Sequence, residues 1–346
     1  CHDPASGTTH SWNVWNHYAA LQDYLTPARK VPRFVTEFGL QSLPGMETIS
    51  SFSSQKNLSA GTYELDKHNY QPGGQQRMAR YVAEEFTPSQ HLPEAIWQSQ
   101  VTQARAARCH VEHLRSHPSI NAGCLFWTLN DSAPAISFSA IDSRGNPKAL
   151  YYYARRFFAP VLVTLTGSGQ VIVINDSSKR ITATLNCRLL SFSGNLLDQT
   201  QVPVALSPAA CSNRYKLPKS FWHRNYQRTA FLHLSLSADD TIIAENVHFF
   251  APDKYLRWVP DGIELEVVSE PPNGWQVTLT SAVVVRDLQL IAPCAAQLSD
   301  NFFTLLPSQP KTLSIEFYNK APSVQTPVQI LSANLNHMSG YLNMGT

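Results

Sequence analysis

The stretch Arg33-Phe34-Val35-Thr36-Glu37-Phe38-Gly39 reads as a short apolar strand that ends on a carboxylate. In proteins built on parallel α/β sheets, catalytic side chains gather where the strands end. A glutamate on a strand is, without further context, more often a paired structural charge. The stretch therefore predicts one strand of a parallel sheet and makes Glu37 a candidate catalytic residue that its surroundings must support.

The first 160 residues alternate short apolar strands with helical patterns, as expected of consecutive βα units. Residues 99–115 form the clearest predicted helix, because small and apolar side chains recur at spacings of three or four. The remaining predictions are a loop over 44–74, a helix over 75–86, a second buried strand over 123–129 and a helix over 148–158. Residues 1–160 are thus predicted to be α/β.

Beyond Pro160 the chain changes to short strands rich in Val, Ile, Thr and Leu, broken by Gly, Asn, Pro and Ser. This composition is typical of all-β sandwich domains. Strands are predicted at 161–165, 171–174, 231–236, 263–268, 275–279, 283–291 and 312–317, with a linker over 252–260. We therefore predict two β-sandwich domains, at 161–253 and 254–346.

Composition limits the partners and cofactors. The chain has 346 residues, a formal charge of +2, and no apolar run long enough to cross a bilayer. Six cysteines lie far apart and twelve histidines show no paired metal-binding spacing. The sequence therefore indicates no nucleic-acid partner, no membrane partner, no metal and no cofactor.

Aromatic side chains surround the two predicted strand ends. They are Trp12, Trp15, Phe34, Phe38 and Trp127. Pyranose rings present apolar C–H faces to such walls, although each aromatic taken singly is more often a core residue. A carboxylate among several aromatics suits the chemistry of an oxocarbenium-like centre. Sugar hydrolysis is the reaction class that this combination favours.

Five blocks of sequence together resemble the β-mannosidases of glycoside hydrolase family 2. Residues 33–42 are similar to the family's nucleophile strand, usually RF-x-SEFG-x-QS, and His10-Ser11-Trp12-Asn13-Val14-Trp15 to its H-x-W-x-VW segment. Phe126-Trp127-Thr128-Leu129-Asn130-Asp131 resembles its W-x-LND strand end. Residues 148–160 resemble its closing barrel helix, and 299–307 a stretch of its terminal sandwich. The blocks occur in the family's order.

The resemblance implies a fold and an activity. Residues 1–160 would be the last strands and helices of a (β/α)8 TIM barrel, followed by two immunoglobulin-like β-sandwich domains. The activity would be that of a retaining exo-β-mannosidase, releasing terminal non-reducing β-D-mannose from oligosaccharides without a cofactor. By the same resemblance Glu37 is the nucleophile and Trp127 the floor under the sugar. Trp12, His10 and Trp15 would line the substrate site.

The sequence also departs from the family pattern. The family's acid/base is the Glu of an Asn-Glu pair, and no such dipeptide occurs here, nor do the earlier domains. We therefore expect a C-terminal fragment that is inactive alone, with Cys1 the edge of a truncated sequence. Ser11 replaces a frequent Tyr, and Ser137-Phe138-Ser139 replaces a frequent Ser-Trp-Ser.

Other possibilities stay open at this point. Another family 2 sugar, such as β-galactose, β-glucuronic acid or β-glucosamine, would use the same fold. A noncatalytic carbohydrate-binding module would account for two sandwiches but not for a nucleophile strand. The sequence does not fix the oligomeric state. It leaves the compartment open, with a slight preference for the cytoplasm and room for a signal peptide upstream.

Overall fold

The computed structural model of the protein describes residues 7–25, 30–55, 58–260 and 262–334, with only the backbone described at 210–214. Cys1 and the end of the predicted last domain lie outside these residues. The chain forms two compact units, one of residues up to 187 with 199–221 and 233–248, the other of 188–198, 222–232 and the residues from 249 onward. Among the described residues, no helix is long and apolar enough to cross a membrane. The predicted domain limits after residues 160 and 253 stay predictions.

The described residues up to 160 contain six α-helices and one short pair of parallel strands. These strands are β1 (Thr9–His10) and β2 (Val35–Glu37), which place His10 beside Glu37. The helices are α1 (Asn13–Asn16), α2 (Met46–Phe52), α3 (Tyr63–Asp66), α4 (Gly74–Glu85), α5 (Leu92–Arg115) and α6 (Ala149–Phe157).

The three helices predicted from apolar spacing are confirmed as α4, α5 and α6. Helix α4 buries Met78, Tyr81 and Val82, on the predicted side. Helix α5 begins at Leu92, well before the predicted start at residue 99. Its first turn contains Pro93, which is tolerated there because the first helical N–H groups have no partner within the helix.

Two predictions in this part of the chain were wrong. The loop predicted over 44–74 contains α2 and α3, whose few apolar residues are too short a run to show a helical period. The strand predicted to be buried over 123–129 is covered on one side only. Cys124 is buried, whereas Leu125 is 55% exposed and Leu129 is 59% exposed. Successive side chains of an extended segment point to opposite faces, so one covered face leaves these leucines outside.

The β-rich region after Pro160 begins with seven strands in two sheets. They are β3 (Val161–Leu165), β4 (Gln170–Asn175), β5 (Ile181–Ser191), β6 (Leu196–Leu206), β7 (Ala210–Lys216), β8 (Ala230–Ala238) and β9 (Thr241–Phe249). The sheets have the orders β3-β4-β7 and β6-β5-β8-β9. The apolar runs predicted β3, β4 and β8. Strands β5, β6, β7 and β9 were missed because polar residues interrupt their apolar ones.

Seven further strands complete the described chain. They are β10 (Ile263–Glu270), β11 (Gly274–Ser281), β12 (Val285–Ile291), β13 (Ala296–Leu298), β14 (Phe303–Leu305), β15 (Lys311–Phe317) and β16 (Gln329–Leu331). The sheets β10-β11-β15-β13 and β14-β12-β16 enclose a core that includes Trp275, Leu288 and Ile315. The predicted second sandwich is confirmed, with β10, β11, β12 and β15 at the predicted strands.

The segment predicted as a linker over 252–260 is instead packed. Asp253 is buried and accepts a hydrogen bond from the guanidinium of Arg286. Trp258 stacks on Phe192, with ring centroids 4.9 Å apart. A buried ion pair and a stacked indole fix this segment, which composition alone suggested to be free of structure.

Candidate active site

Three parallel backbone segments place the predicted site residues at the same end. Ser11 N donates to Glu37 O (2.7 Å), which ties the segment after β1 to β2. On the other side of β2, Val35 N donates to Gly123 O (3.1 Å) and Leu125 N to Val35 O (2.8 Å). Parallel pairing brings the carboxyl ends of the segments together, so His10, Glu37 and Trp127 share one edge.

Glu37 is held by one of the predicted aromatic residues. Trp12 Nε1 donates a hydrogen bond to Glu37 Oε2 over 3.0 Å. His10 Nδ1 lies 3.5 Å from the same oxygen, with its side chain 37% exposed and that of Glu37 29% exposed. A hydrogen bond to an ionised carboxylate is stronger than one between neutral groups. The carboxylate is therefore oriented by its neighbours while a substrate can still reach it.

Phe138 is the centre of an aromatic cluster next to Glu37. Its ring meets Trp12 edge to face at 5.3 Å and Trp15 at 5.4 Å between centroids. Tyr70, which is 62% exposed, meets the same ring at 6.1 Å. Edge-to-face pairs of this kind add to the stability gained by burying the rings. Trp12 thus has a fixed aromatic support on the side away from solvent.

Trp15 lies behind this surface and does not face solvent. Its side chain is fully buried, stacks on Tyr81 at 6.2 Å, and donates through Nε1 to Gln71. The sequence predicted that Trp15 lines the sugar site. Its burial corrects that prediction: the indole supports the site through Phe138 and cannot itself contact a sugar.

Trp127 is 39% exposed, and its backbone fits closely against β2. Trp127 N donates to Phe38 O over 2.8 Å. A Cβ atom added at Gly39 would lie 2.6 Å from the carbonyl oxygen of Trp127, closer than two such atoms can approach. Glycine is thus required by the close approach of two backbones, which fixes Trp127 relative to Glu37.

Phe38, also expected among the sugar-facing aromatics, belongs to the core. It is fully buried and packs edge to face on His110 at 4.8 Å. His110 is buried as well, and its Nδ1 lies 3.4 Å from Tyr24 O. Burial lowers the pKa of His110 to about 3, so the ring is neutral at physiological pH.

Helix α5 holds the chain that follows Glu37 through buried polar side chains. Gln103 Nε2 donates to Leu40 O (2.8 Å) and Phe138 O (2.9 Å), and its Oε1 accepts from Ser42 Oγ (2.7 Å). Ser99 Oγ accepts from Leu43 N over 3.0 Å. Buried polar groups need such partners, which makes the geometry specific. The chain that leaves β2 after Glu37 is therefore fixed by hydrogen bonds.

A partly buried cluster of charged and hydroxyl side chains lies on the other side of Phe138, and no role was predicted for its members from the sequence. Asp131 Oδ2 accepts hydrogen bonds from Ser137 Oγ (2.6 Å) and Ser139 Oγ (2.7 Å). The buried side chain of Lys148 donates from Nζ to Ser137 O (3.5 Å) and interacts electrostatically with the carboxylates of Asp131 and Asp142. Burial lowers the pKa of Lys148 to about 8, although both carboxylates act to raise it.

Two signals in the sequence could have indicated these missed residues. Ser137-Phe138-Ser139 alternates polar and aromatic residues, the pattern of an extended segment with two different faces. Tyr70 stands in a polar stretch, where an aromatic ring is exposed more often than packed.

Within the ranges that the structure describes, no group of three or more His, Cys, Asp or Glu could hold a metal ion.

Comparison with known proteins identifies domains and relatives. Residues 167–255 match the family model of a mannosidase Ig/CBM-like domain, and residues 260–335 match that of an Ig-fold domain. Beta-mannosidase B of Aspergillus niger is 26% identical over 336 residues, covering 90% of this chain and 40% of that protein. Beta-mannosidase B of Aspergillus flavus is 25% identical, covering 90% and 39%. The chain thus spans about two fifths of the length of these relatives.

Solved structures share the fold. The β-D-mannosidase from Dictyoglomus thermophilum superposes with a TM-score of 0.85 at 24% identity, covering 96% of this chain and 41% of that one. The exo-chitosanase of Amycolatopsis orientalis gives 0.67 at 15% identity, covering 85% and 41%. The expected Ig-like domains are confirmed by the two family models. These findings support the resemblance to the C-terminal portion of the β-mannosidases of glycoside hydrolase family 2.

Proposed function

We propose that this chain supplies the nucleophile half of a retaining exo-β-mannosidase, which hydrolyses terminal non-reducing β-D-mannose residues of oligosaccharides. The observation that carries the proposal is the position of Glu37. Its carboxylate lies at the end of β2, accepts a hydrogen bond from Trp12 Nε1 at 3.0 Å, and has an aromatic cluster beside it. The choice of β-mannose as the sugar rests on the relatives named beta-mannosidase.

In this proposal Glu37 attacks the anomeric carbon and forms a covalent glycosyl-enzyme, which water then hydrolyses with net retention. The Trp12 hydrogen bond fixes one carboxylate oxygen, so that the other is presented to the sugar. The attack needs a reacting distance near van der Waals contact and a defined direction. The carboxylate of Glu37 is partly exposed, so the sugar can approach it, and its hydrogen bond to Trp12 defines its direction.

The other residues of the site have separate roles in the proposal. Trp127 places its exposed indole under the sugar in the first subsite. Trp12 and His10 line the same site beside Glu37, where His10 Nδ1 is 3.5 Å from the carboxylate. Trp15 supports the cluster from within the core. The reaction needs no cofactor.

We also propose that residues 1–160 form the last part of a (β/α)8 barrel. The parallel order of β1, β2 and the segment at 123–127, with helices α4, α5 and α6 along the chain, supports this assignment. Residues 161–253 and 254–346 are proposed as the two Ig-like domains. The acid/base carboxyl is then supplied by a part of the whole protein that these 346 residues do not contain, because they lack an Asn-Glu pair.

Chemical rescue of the nucleophile variant tests the function. In the full-length protein, Glu37→Ala should lose turnover of 4-nitrophenyl β-mannoside, and sodium azide should restore release of nitrophenol by forming α-mannosyl azide. The inverted product arises because azide occupies the space of the missing carboxylate and attacks from the same face. Glu47→Ala, a glutamate on α2 away from this strand end, is the control. Full activity of Glu37→Ala, or a β-configured azide, would refute the proposal.

A further inference from the structure

We infer that Asp131 positions the nucleophile indirectly: its carboxylate fixes the segment Ser137-Phe138-Ser139, whose phenyl ring supports the indole that hydrogen-bonds Glu37. Asp131 is thus a positioning residue, which acts through Phe138 and Trp12. The inference rests on the proposed function, since it assigns Glu37 the role of nucleophile. It concerns side chains that meet neither the sugar nor the reacting carboxylate directly.

The first contact is between Asp131 and two serines. Ser137 Oγ and Ser139 Oγ both donate to Asp131 Oδ2, at 2.6 and 2.7 Å, and both residues are buried. Ser137 also pairs with Ser42 through backbone hydrogen bonds of 2.9 and 3.4 Å. Side chains alternate along an extended segment, so the two serines on Asp131 direct Phe138 to the opposite side. One carboxylate oxygen therefore sets where the ring lies.

The second contact is between Phe138 and the tryptophans. The ring is 5% exposed and meets Trp12 and Trp15 edge to face, with interplanar angles of 75° and 78°. Trp15 is itself fixed by Tyr81 and Gln71. Packed interiors transmit a displacement because they contain few gaps that could absorb it. A shift of Phe138 therefore moves Trp12, whose other side is open to the site.

The third contact is the hydrogen bond from Trp12 to Glu37. At 3.0 Å it has little tolerance, because such bonds weaken steeply with distance and angle. Loss of this bond lets the carboxylate turn away from the line of attack. Displacement of a reacting group by about 1 Å can lower the rate by roughly a hundredfold.

Asp142 gives the experiment its control. Like Asp131 it interacts electrostatically with Lys148, but it holds a different part of the chain. Its carboxylate accepts from Thr48 Oγ1 at 2.7 Å and from the backbone N–H groups of Arg144 and Asn146 at 3.0 Å. Removal of either aspartate takes one negative charge from the surroundings of Lys148, but only Asp131 accepts hydrogen bonds from the two serines that flank Phe138.

The experiment compares kcat and KM of five variants of the full-length protein on 4-nitrophenyl β-mannoside, below their melting temperatures. Asp131→Ala should lower kcat roughly tenfold to a hundredfold and leave KM within about threefold. Asp131→Asn keeps an acceptor oxygen for the serines and should recover most of kcat. Ser137→Ala/Ser139→Ala should match Asp131→Ala, and the triple variant should lose nothing more. Asp142→Ala should lower the melting temperature with kcat near that of the wild type.

Equal kcat losses in Asp131→Ala and Asp142→Ala, or additive losses in the triple variant, would overturn the inference. A crystal structure of Asp131→Ala gives a second readout, in which the Trp12 Nε1 to Glu37 Oε2 distance should exceed hydrogen-bonding range. An unchanged distance contradicts the inference whatever the kinetics. If the wild-type protein instead shows no turnover and Glu37→Ala changes nothing, the proposed function fails, and the crystal structure alone decides the positioning claim.

Discussion

Three tryptophans occupy the predicted site region, and they differ in what they expose. Trp15 is fully buried and Trp12 is half-buried, whereas Trp127 is 39% exposed. An indole contributes to sugar binding through its open face, so Trp127 is the tryptophan that we propose to stack under the pyranose. Because the ring of the sugar flattens and gains positive charge during reaction, such a face should favour the transition state over the resting substrate.

Trp127→Ala in the full-length protein should therefore lower kcat more than it raises KM. A stacking contribution of roughly 0.5 to 2 kcal/mol corresponds to a loss of about twofold to thirtyfold, and Trp127→Phe should recover part of it. Steady-state kinetics measure the effect. Each variant is assayed at the same number of degrees below its own melting temperature. Unchanged turnover per folded molecule in the alanine variant would remove Trp127 from the site.

The buried side chain of His110 makes the free energy of unfolding depend on pH. Its pKa of about 3 in the folded protein lies below the ordinary value of 6.5 because burial disfavours the charged ring. Between these values the unfolded chain binds a proton that the folded protein does not. The free energy of unfolding should therefore fall as pH drops below about 6.5, by at most about 1.4 kcal/mol per pH unit from this residue.

His110→Phe should flatten this acid dependence, because phenylalanine fills the space between Tyr24 and Phe38 without a titrating group. Urea midpoints measured near pH 7 and near pH 5 give the slope. Exposed His17 offers the control, and His17→Gln should keep the wild-type slope. An equally steep acid slope in His110→Phe would mean that other groups cause it.

At the scale of elements, the site depends on the close approach of β2 and the segment that carries Trp127. Gly39 sits where the two backbones meet, and no flexible side chain is available to give way. Glycine is usually required where the backbone is left-handed, but the backbone at Gly39 is not left-handed. Space alone demands glycine at this position.

Gly39→Ala should therefore destabilise the protein by about 1 to 3 kcal/mol, as expected of overpacking against backbone, and reduce turnover by displacing Trp127. Gly262→Ala is the matched control, because an added Cβ there meets nothing within 4 Å. Thermal melting and kcat on the same samples measure both effects. A Gly39→Ala variant as stable and as active as Gly262→Ala would contradict the close approach.

Local patterns made much of this arrangement predictable. Helices α4, α5 and α6 follow from apolar spacing, and Glu37 from its position at the end of an apolar strand. The burial of Trp15 and the role of Phe138 did not follow. They depend on contacts between residues far apart in sequence, such as Trp15 with Tyr81 and Phe138 with Trp12. The start of α5 at Leu92 was missed because Pro93, Glu94 and Gln98 interrupt the apolar pattern before residue 99.

At the scale of the whole molecule, the proposed reaction requires a second carboxyl group besides Glu37. A retaining glycosidase uses two carboxyl groups about 5 Å apart, one as nucleophile and one as acid/base. The chain supplies a nucleophile candidate, lacks an Asn-Glu pair, and spans about 39% of the length of the Aspergillus flavus relative. The second carboxyl group is therefore expected from the remaining sequence of the full-length protein.

Expression of the 346 residues alone should accordingly give no measurable hydrolysis of aryl β-mannosides, whereas the full-length protein should hydrolyse them. Loss of general acid assistance alone costs about a hundredfold to ten-thousandfold, before loss of substrate contacts is counted. The same chain with Glu37→Ala provides the background. Turnover by the chain above that background would show that its own residues complete the site.

The most direct test of the account is to trap the covalent intermediate. The full-length protein is treated with a 2-deoxy-2-fluoro-β-mannosyl fluoride, digested, and mapped by mass spectrometry. The electron-withdrawing fluorine slows hydrolysis of the glycosyl-enzyme, so the nucleophile keeps its label. We predict one 2-fluoromannosyl group, on Glu37. A label on Glu47, Glu64 or any other residue, or inactivation without a covalent label, would contradict it.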